Sequence, residues 1–172
     1  MKKLLIILVV VMLVGGGCFS KKEPIPEFAG TTYENPQYQF SFEYPVEMEV
    51  RVREEQNRAH QYLGLDVDFF ASLRDTFSEN KPVNVIYLYA IEGLSVEDFK
   101  DQLENSGVSE GIKSEETVKV NGIKMTKIIN ASAAGDDKTH YLFDHNGTTL
   151  ILSVFLYQEE KFESVLQTFE LL

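Results

Sequence analysis

The chain has 172 residues, 27 acidic and 16 basic side chains, a formal net charge of −11 and one cysteine. This length corresponds to one domain of ordinary size. The acidic balance argues against nucleic acid as a partner, because phosphate recognition needs clustered lysine and arginine, and a lone cysteine excludes a disulfide framework or a cysteine metal site.

The first eighteen residues have the pattern of a secretory leader. Lys2 and Lys3 precede an apolar run over residues 4–14, and three glycines then lead into Cys18. A positive segment, a short apolar core and small residues at a processing point define such a leader. The apolar run would form a helix of about 17 Å, too short for a hydrocarbon core of about 30 Å. Because a cysteine follows the small residues directly, the leader resembles that of bacterial lipoproteins.

This resemblance implies that residues 1–17 are a signal peptide and that Cys18 becomes the lipidated N-terminus. Lipoprotein leaders usually carry leucine three residues before the cysteine, where this chain has Gly15. Ordinary cleavage after Gly17 is the alternative, since Gly15 and Gly17 satisfy the small-x-small rule. Removal of Lys2 and Lys3 would move the formal charge from −11 to −13. The leader predicts a lipid-anchored protein on the extracytoplasmic face of a bacterial membrane.

Residues 18–36 are predicted to form the lipidated cysteine and an extended tether, because Lys21 to Pro26 combine charge with two prolines. A single domain is predicted over residues 37–172. It begins with two segments in which apolar and polar residues alternate strictly, on either side of Pro45. This period predicts strands with one buried face, as in an antiparallel sheet. The apolar members are Tyr38, Phe40, Phe42 and Tyr44, then Val46, Met48, Val50 and Val52.

The middle of the chain predicts two further strands and a helix. In residues 65–69 apolar and acidic side chains alternate, which predicts a strand. Residues 72–82 have the composition of a polar excursion. Residues 83–91 are apolar on both faces and predict a central strand that is covered on both sides. Ser95 is a candidate helix N-cap with Asp98 three residues later. The helix is predicted to end before Gly107 and to bury Val96, Phe99 and Leu103.

The last third predicts two hairpins and a helix. Asn121-Gly122 and Asn146-Gly147 are typical of two-residue type I′ turns. Residues 150–157 are apolar on both faces and predict another central strand. A C-terminal helix is predicted from about Glu159, and residues 168–172 either end it or form a short closing strand. The turns predict four cross-strand pairs: Val120 with Ile123, Val118 with Met125, Phe143 with Leu150, and Tyr141 with Leu152.

These segments together resemble the PsbP-like family, which is named for an extrinsic protein of photosystem II and is widespread among bacterial lipoproteins. The resemblance rests on the aromatic strand at residues 38–45 that ends in Tyr-Pro, on the 120–123 turn, on the strand pair over 141–156 and on residues 162–171. It implies an α+β fold, an α/β/α sandwich with a central, mainly antiparallel sheet. The periodicities predict the same layers, because two amphipathic helices must cover a sheet. The family often has a tryptophan after Tyr-Pro, and this chain has none.

Cys18 is the only functional residue that the sequence predicts, as a site of lipid modification. No catalytic, cofactor-binding or metal-binding residue is predicted. His140 and Asp144 share a strand face but stand about 13 Å apart. His140 and His145 are both predicted to lie on a solvated hairpin. The pairs Asp66 with Asp68 and Asp136 with Asp137 are the best places for a cation, but they lack the organised oxygen ligands of a calcium site. Asn130 and Asn146 begin sequences that match the glycosylation sequon, and these are interpreted as chance matches that are not glycosylated.

The leading hypothesis for function is a membrane-anchored, non-catalytic binding or assembly accessory, because members of the PsbP-like family are mostly of that kind. Its expected partners are the membrane, through the lipid anchor, and a protein; no cofactor and no nucleic acid are expected. Two alternatives stay open: a hydrolase-type enzyme with a dispersed active site, and a weak cation-binding protein. A deep pocket holding convergent titratable groups would favour the enzyme.

Overall fold

The computed structural model describes residues 30–53, 61–75, 83–107, 109–132, 135–155 and 158–172. In these ranges the chain forms twelve strands and two helices. They are, in order, β1 (Gly30–Asn35), β2 (Phe40–Pro45), β3 (Met48–Val52), β4 (Gln61–Tyr62), β5 (Leu65–Asp66), β6 (Phe69–Asp75), β7 (Val83–Glu92), α1 (Val96–Asn105), β8 (Ser109–Val120), β9 (Ile123–Ser132), β10 (Lys138–His145), β11 (Thr148–Phe155), α2 (Glu159–Leu166) and β12 (Glu170–Leu171).

A seven-stranded antiparallel sheet forms the centre of the domain, in the order β3-β6-β7-β11-β10-β9-β8. The two segments predicted as central strands are β7 and β11, which pair with each other in the middle of this sheet. Strand β8 forms one edge and exposes a run of charged side chains. Charged edges of this kind oppose pairing with another chain.

Each face of the central sheet is covered by one helix together with strands. Helix α2 and the three-stranded sheet β1-β2-β12 pack on one face, where the core contains Phe40, Phe42, Phe162 and Phe169. Helix α1 and the β4–β5 hairpin cover the other, around Phe99 and Leu142. The fold is therefore dominated by antiparallel sheet, and it is not the simple α/β/α sandwich that the sequence predicts, because the outer layers contain strands beside each helix.

The helix signals in the sequence are confirmed. Ser95 Oγ accepts a hydrogen bond from the Asp98 backbone N–H at 3.1 Å, and the Asp98 side chain accepts one from the Ser95 backbone N–H at 3.2 Å. Hydrogen bonds from Ser95 lower the pKa of the Asp98 carboxyl. Gly107 follows the C-cap with a φ of +69°, a conformation that glycine adopts without steric cost. Helix α2 begins at Glu159, as predicted.

Both predicted hairpins have the predicted register. Asn121 and Gly122 have φ angles of +46° and +86°, and Asn146 and Gly147 have angles of +52° and +81°, as type I′ turns require. The four predicted cross-strand pairs are all present. The Asn121 side chain also donates to the carbonyls of Gln167 and Phe169, so that the first turn satisfies carbonyl groups at the end of α2. Residues 170–171 form the closing strand β12, which pairs with β2.

Four sequence predictions are corrected by the structure. Residues Gly30–Asn35, assigned to the tether, form β1 and pair with β2. Val46 is 67% exposed, because the chain turns there from the three-stranded sheet into the central one. Residues 72–75, assigned to a polar excursion, belong to β6. The strand predicted over 65–69 is divided between β5 and β6.

Candidate functional site

A groove opens where the connection between β1 and β2 faces the adjoining ends of β6 and β7. Its main cavity has a volume of about 540 Å³, within the range of ligand-binding clefts. It combines aromatic, amide and charged side chains from four separate parts of the sequence. The lining residues are Tyr33, Glu34, Asn35, Pro36, Gln37, Tyr38, Val52, Arg53, Asp68, Phe69 and Glu92.

The β1–β2 connection is held in place by local hydrogen bonds and by aromatic packing. Asn35 Oδ1 accepts from the Tyr38 backbone N–H at 3.0 Å, which closes the turn. Gln39 then takes a φ of +54°, and its carbonyl accepts from the Leu172 backbone N–H at 2.9 Å. The Tyr38 ring packs 5.4 Å from the ring of Phe69, centroid to centroid. This wall of the groove is therefore preorganised.

A second cavity of about 210 Å³ adjoins the first and shares Gln37, Tyr38 and Glu92 with it. It extends to the turn between β10 and β11, where His145 and Asn146 line it. The Asn146 side chain donates to Gln39 Oε1 at 2.7 Å, which joins the two turns. We use "the groove" for both cavities together.

Negative charge predominates along the groove. Glu34, Asp68 and Glu92 bring three carboxylates to it, and Arg53 brings the one arginine or lysine side chain among the lining residues. Asp68 Oδ2 accepts from the Glu92 backbone N–H at 2.7 Å, which fixes that carboxylate against the end of β7. The Arg53 guanidinium lies 5.7 Å from the centroid of the Phe70 ring.

A second polar arrangement lies inside the domain, between the central sheet and α1. His140 Nε2 is 2.7 Å from Asn130 Oδ1, and His140 Nδ1 is 2.7 Å from Ser153 Oγ. Because an amide oxygen only accepts, Nε2 carries the proton and Nδ1 accepts from the Ser153 hydroxyl. The Tyr62 hydroxyl also bonds to Ser153, and Phe99 packs edge-on against the imidazole at 5.4 Å.

The hydrogen-bonded chain from Ser153 through His140 to Asn130 resembles a nucleophile, its general base and a residue that orients the base. Because all three side chains are buried, they cannot act on a substrate from solvent. His140 is 0% exposed, Ser153 is 1% exposed and Asn130 is 3% exposed. Burial, with a smaller contribution from the positive charge of Lys138, lowers the pKa of His140 to about 3. Such an imidazole is a very weak base at neutral pH. The network instead satisfies polar groups that the core has desolvated.

The prediction for His140 is therefore wrong: it is a core residue and does not lie on a solvated hairpin. The sequence did contain a sign that His140 is buried. The register set by the Asn146-Gly147 turn places it directly opposite Ser153, on a strand predicted to be apolar on both faces. Ser153 also interrupts the apolar run of β11, with Leu150, Ile151 and Leu152 before it and Val154 after it. His145 does lie beside the turn and is only partly buried. The Asn130 sequon is inaccessible in the folded domain, because the Asn130 side chain is buried.

The acidic pairs singled out in the sequence do not converge. Asp68 lines the groove, and Asp66 is exposed in β5. Asp136 is exposed, whereas Asp137 Oδ2 is 2.6 Å from Lys113 Nζ. Over the ranges that the structure covers, no group of three or more His, Cys, Asp or Glu side chains is arranged to hold a metal ion.

Cys18 and the leader lie outside the described residues. In the part of the chain that is described, none of the helices is long and apolar enough to cross a membrane.

Comparison with known proteins gives similarity in structure alone. Neither the protein-family models nor the curated protein sequences match this chain. The solution structure of the cyanobacterial PsbP protein CyanoP from Synechocystis sp. PCC 6803 superposes with a TM-score of 0.56 and covers 91% of this chain and 100% of its own, at 10% sequence identity. The chain has a PsbP-like fold. The expected fold family is thus confirmed at the level of architecture.

Two further structures superpose on this chain with lower TM-scores. A crystal structure from Bacteroides thetaiotaomicron VPI-5482 has a TM-score of 0.48 at 15% identity, with 83% of this chain and 48% of that one covered. A protein of unknown function from Pseudomonas aeruginosa has a TM-score of 0.38 at 12% identity, with 81% and 94% covered.

Proposed function

We propose that this protein is a lipid-anchored, extracytoplasmic accessory that binds a partner protein without catalysing a reaction, and that the groove is its binding surface. The observation that carries the proposal is the groove itself, in which preorganised aromatic rings stand beside hydrogen-bonding and charged side chains. Clefts with this combination are typical binding sites. The PsbP-like fold is compatible with the proposal but does not decide it, because one fold hosts many functions.

The path of β1 is a second support, because it separates the groove from the proposed anchor. Gly30 pairs with Pro45 at one end of the three-stranded sheet, and Asn35 pairs with Phe40 at the other. Six residues of strand span about 20 Å. The chain from Cys18 would therefore join the domain at one end of β1, and the groove lies at the other. A partner could occupy the groove while the lipid anchor remains in the membrane.

The burial of the Ser153–His140–Asn130 network supports a non-catalytic role over the hydrolase alternative. Ser153 is 1% exposed and bonded to Tyr62, so a substrate would reach it only after the surrounding side chains had moved aside. If the protein were a serine hydrolase, a fluorophosphonate probe would label the purified full chain, and Ser153→Ala would abolish the labelling. We expect no labelling above the level of Ser153→Ala.

The binding role is tested by pulldown from detergent-solubilised native membranes with mass spectrometry. Gln37→Arg places a bulky charge in the groove, and Gln102→Arg makes the same change on the exposed side of α1. We expect one partner to be enriched with the wild type and with Gln102→Arg and to be lost with Gln37→Arg. Equal enrichment with all three proteins, or turnover of an ester, peptide or glycan library without any enrichment, would contradict the proposal.

A further inference from the structure

We infer that the groove recognises an extended basic segment of its partner, a stretch of chain that carries arginine or lysine side chains. This inference rests on the proposed function in placing the binding surface at the groove, and it adds the chemistry of what binds there.

Charge complementarity is the first argument. Three acidic residues, Glu34, Asp68 and Glu92, line the main cavity with one basic residue, Arg53, in a chain whose formal net charge is −11. The hydrogen bond from the Glu92 backbone fixes the position of the Asp68 carboxylate and leaves its negative charge available. A cleft in which one sign of charge predominates attracts ligands of the opposite charge more strongly than a flat surface does.

The aromatic wall is the second argument, and it favours long basic side chains over a bare cation. Tyr33, Tyr38 and Phe69 line the same cavity as the three carboxylates. Arginine and lysine pack their aliphatic stems on apolar surface while the charged group reaches a polar partner, and guanidinium groups also stack on aromatic rings. A metal ion would use the carboxylates but would gain nothing from the rings.

The elongated outline of the groove and its amide groups favour a segment of chain over a small amine. The second cavity continues the first past Gln37 to Asn146. Gln37 and Gln39 are exposed there, and carboxamides can both donate to and accept from a peptide backbone.

The test measures binding of a defined peptide to the full chain in detergent micelles. The probe is a fluorescein-labelled Arg-Leu-Arg-Gly-Arg-Leu-Arg-Gly peptide, and its control replaces each arginine with citrulline, which has nearly the same shape and no charge. The groove variant combines Glu34→Gln with Glu92→Gln. The matched variant combines Glu104→Gln in the last turn of α1 with Glu110→Gln at the start of β8, two exposed positions with the same change in charge.

We expect saturable binding of the arginine peptide and little binding of the citrulline peptide by fluorescence anisotropy. The groove variant should weaken the affinity about fivefold, as expected for the loss of two exposed charge interactions, whereas the matched variant should change it less than twofold. Equal weakening by both variants would show nonspecific attraction to an acidic protein and would overturn the inference. Equal binding of the citrulline peptide would also overturn it.

The failure of this inference can be told apart from the failure of the proposed function. If the arginine peptide does not bind but the Gln37→Arg variant still loses the partner in the pulldown, the basic-segment inference is wrong and the groove remains the binding surface. If Gln37→Arg also retains the partner, both are wrong.

Discussion

Mild acid should destabilise this domain through His140, whose imidazole lies in the core. In the unfolded chain the pKa of histidine is about 6.5, whereas in the fold burial lowers the pKa of His140 to about 3. Between these values the unfolded state binds more protons than the folded state, so the free energy of unfolding rises with pH in this window. The contribution is fully present above pH 6.5 and is lost progressively as the pH falls towards 3.

The size of the effect follows from the two pKa values. At 1.36 kcal/mol per pKa unit, their difference corresponds to about 5 kcal/mol in total. About 2 kcal/mol of this is lost between pH 7.5 and pH 5, before most carboxylates titrate. With a urea m-value of about 2 kcal/mol/M, the midpoint of denaturation should fall by about 1 M over the same interval.

Urea denaturation at pH 7.5, 6 and 5 measures this dependence, by circular dichroism or tyrosine fluorescence, since the chain contains no tryptophan. His140→Gln should be less stable than the wild type at pH 7.5, because Asn130 and Ser153 lose a well-placed partner, but its midpoint should be nearly independent of pH over this range. His145→Gln is the matched control and should keep the wild-type dependence. A wild-type midpoint that stays constant, or a His140→Gln variant that falls as steeply as the wild type, would refute the reasoning.

Three further predictions concern the turn, the leader and the acidic residues. Gly122→Val should destabilise the fold by about 1–3 kcal/mol in urea denaturation, because a β-branched residue is strained at the φ of +86° found there; an unchanged midpoint would contradict this. Acylation of Cys18 should add lipid mass to a mature chain that partitions into detergent, whereas Cys18→Ser should leave the protein soluble or unprocessed; an N-terminal Cys18 without acyl mass by intact mass spectrometry would exclude lipidation. Calcium titrated by calorimetry should show weak binding without a defined stoichiometry, and one saturable site abolished by Asp136→Asn with Asp137→Asn would favour cation sensing.

Features that depend on local chemistry were predictable from the sequence. The Ser95 and Asp98 cap and the two Asn-Gly turns act within a few residues, so their presence and their register followed from the residues themselves. Strand β1 could not be predicted in this way. It is a polar segment in which Tyr33 is the only apolar side chain that packs on the core, and pairing with β2 holds it in the sheet.

The candidate site depends on contacts between distant segments, and the sequence did not reveal it. The groove joins residues 33–39 to Arg53, Asp68 and Glu92, and no local pattern connects them. The burial of His140 likewise depends on Tyr62 and Phe99, which cover it from two other elements. The hypothesis for function came from the leader and from the fold resemblance, and the lipid anchor at Cys18 stays a prediction.

Site-specific crosslinking in intact membranes tests the central claim most directly. A photoreactive amino acid in place of Gln37 would lie in the groove, and one in place of Gln102 would lie on the exposed side of α1. The account predicts that irradiation gives one discrete adduct with a second protein from position 37 and none from position 102. No adduct from position 37, or the same adducts from both positions, would contradict the claim that the groove is the surface through which this protein binds its partner.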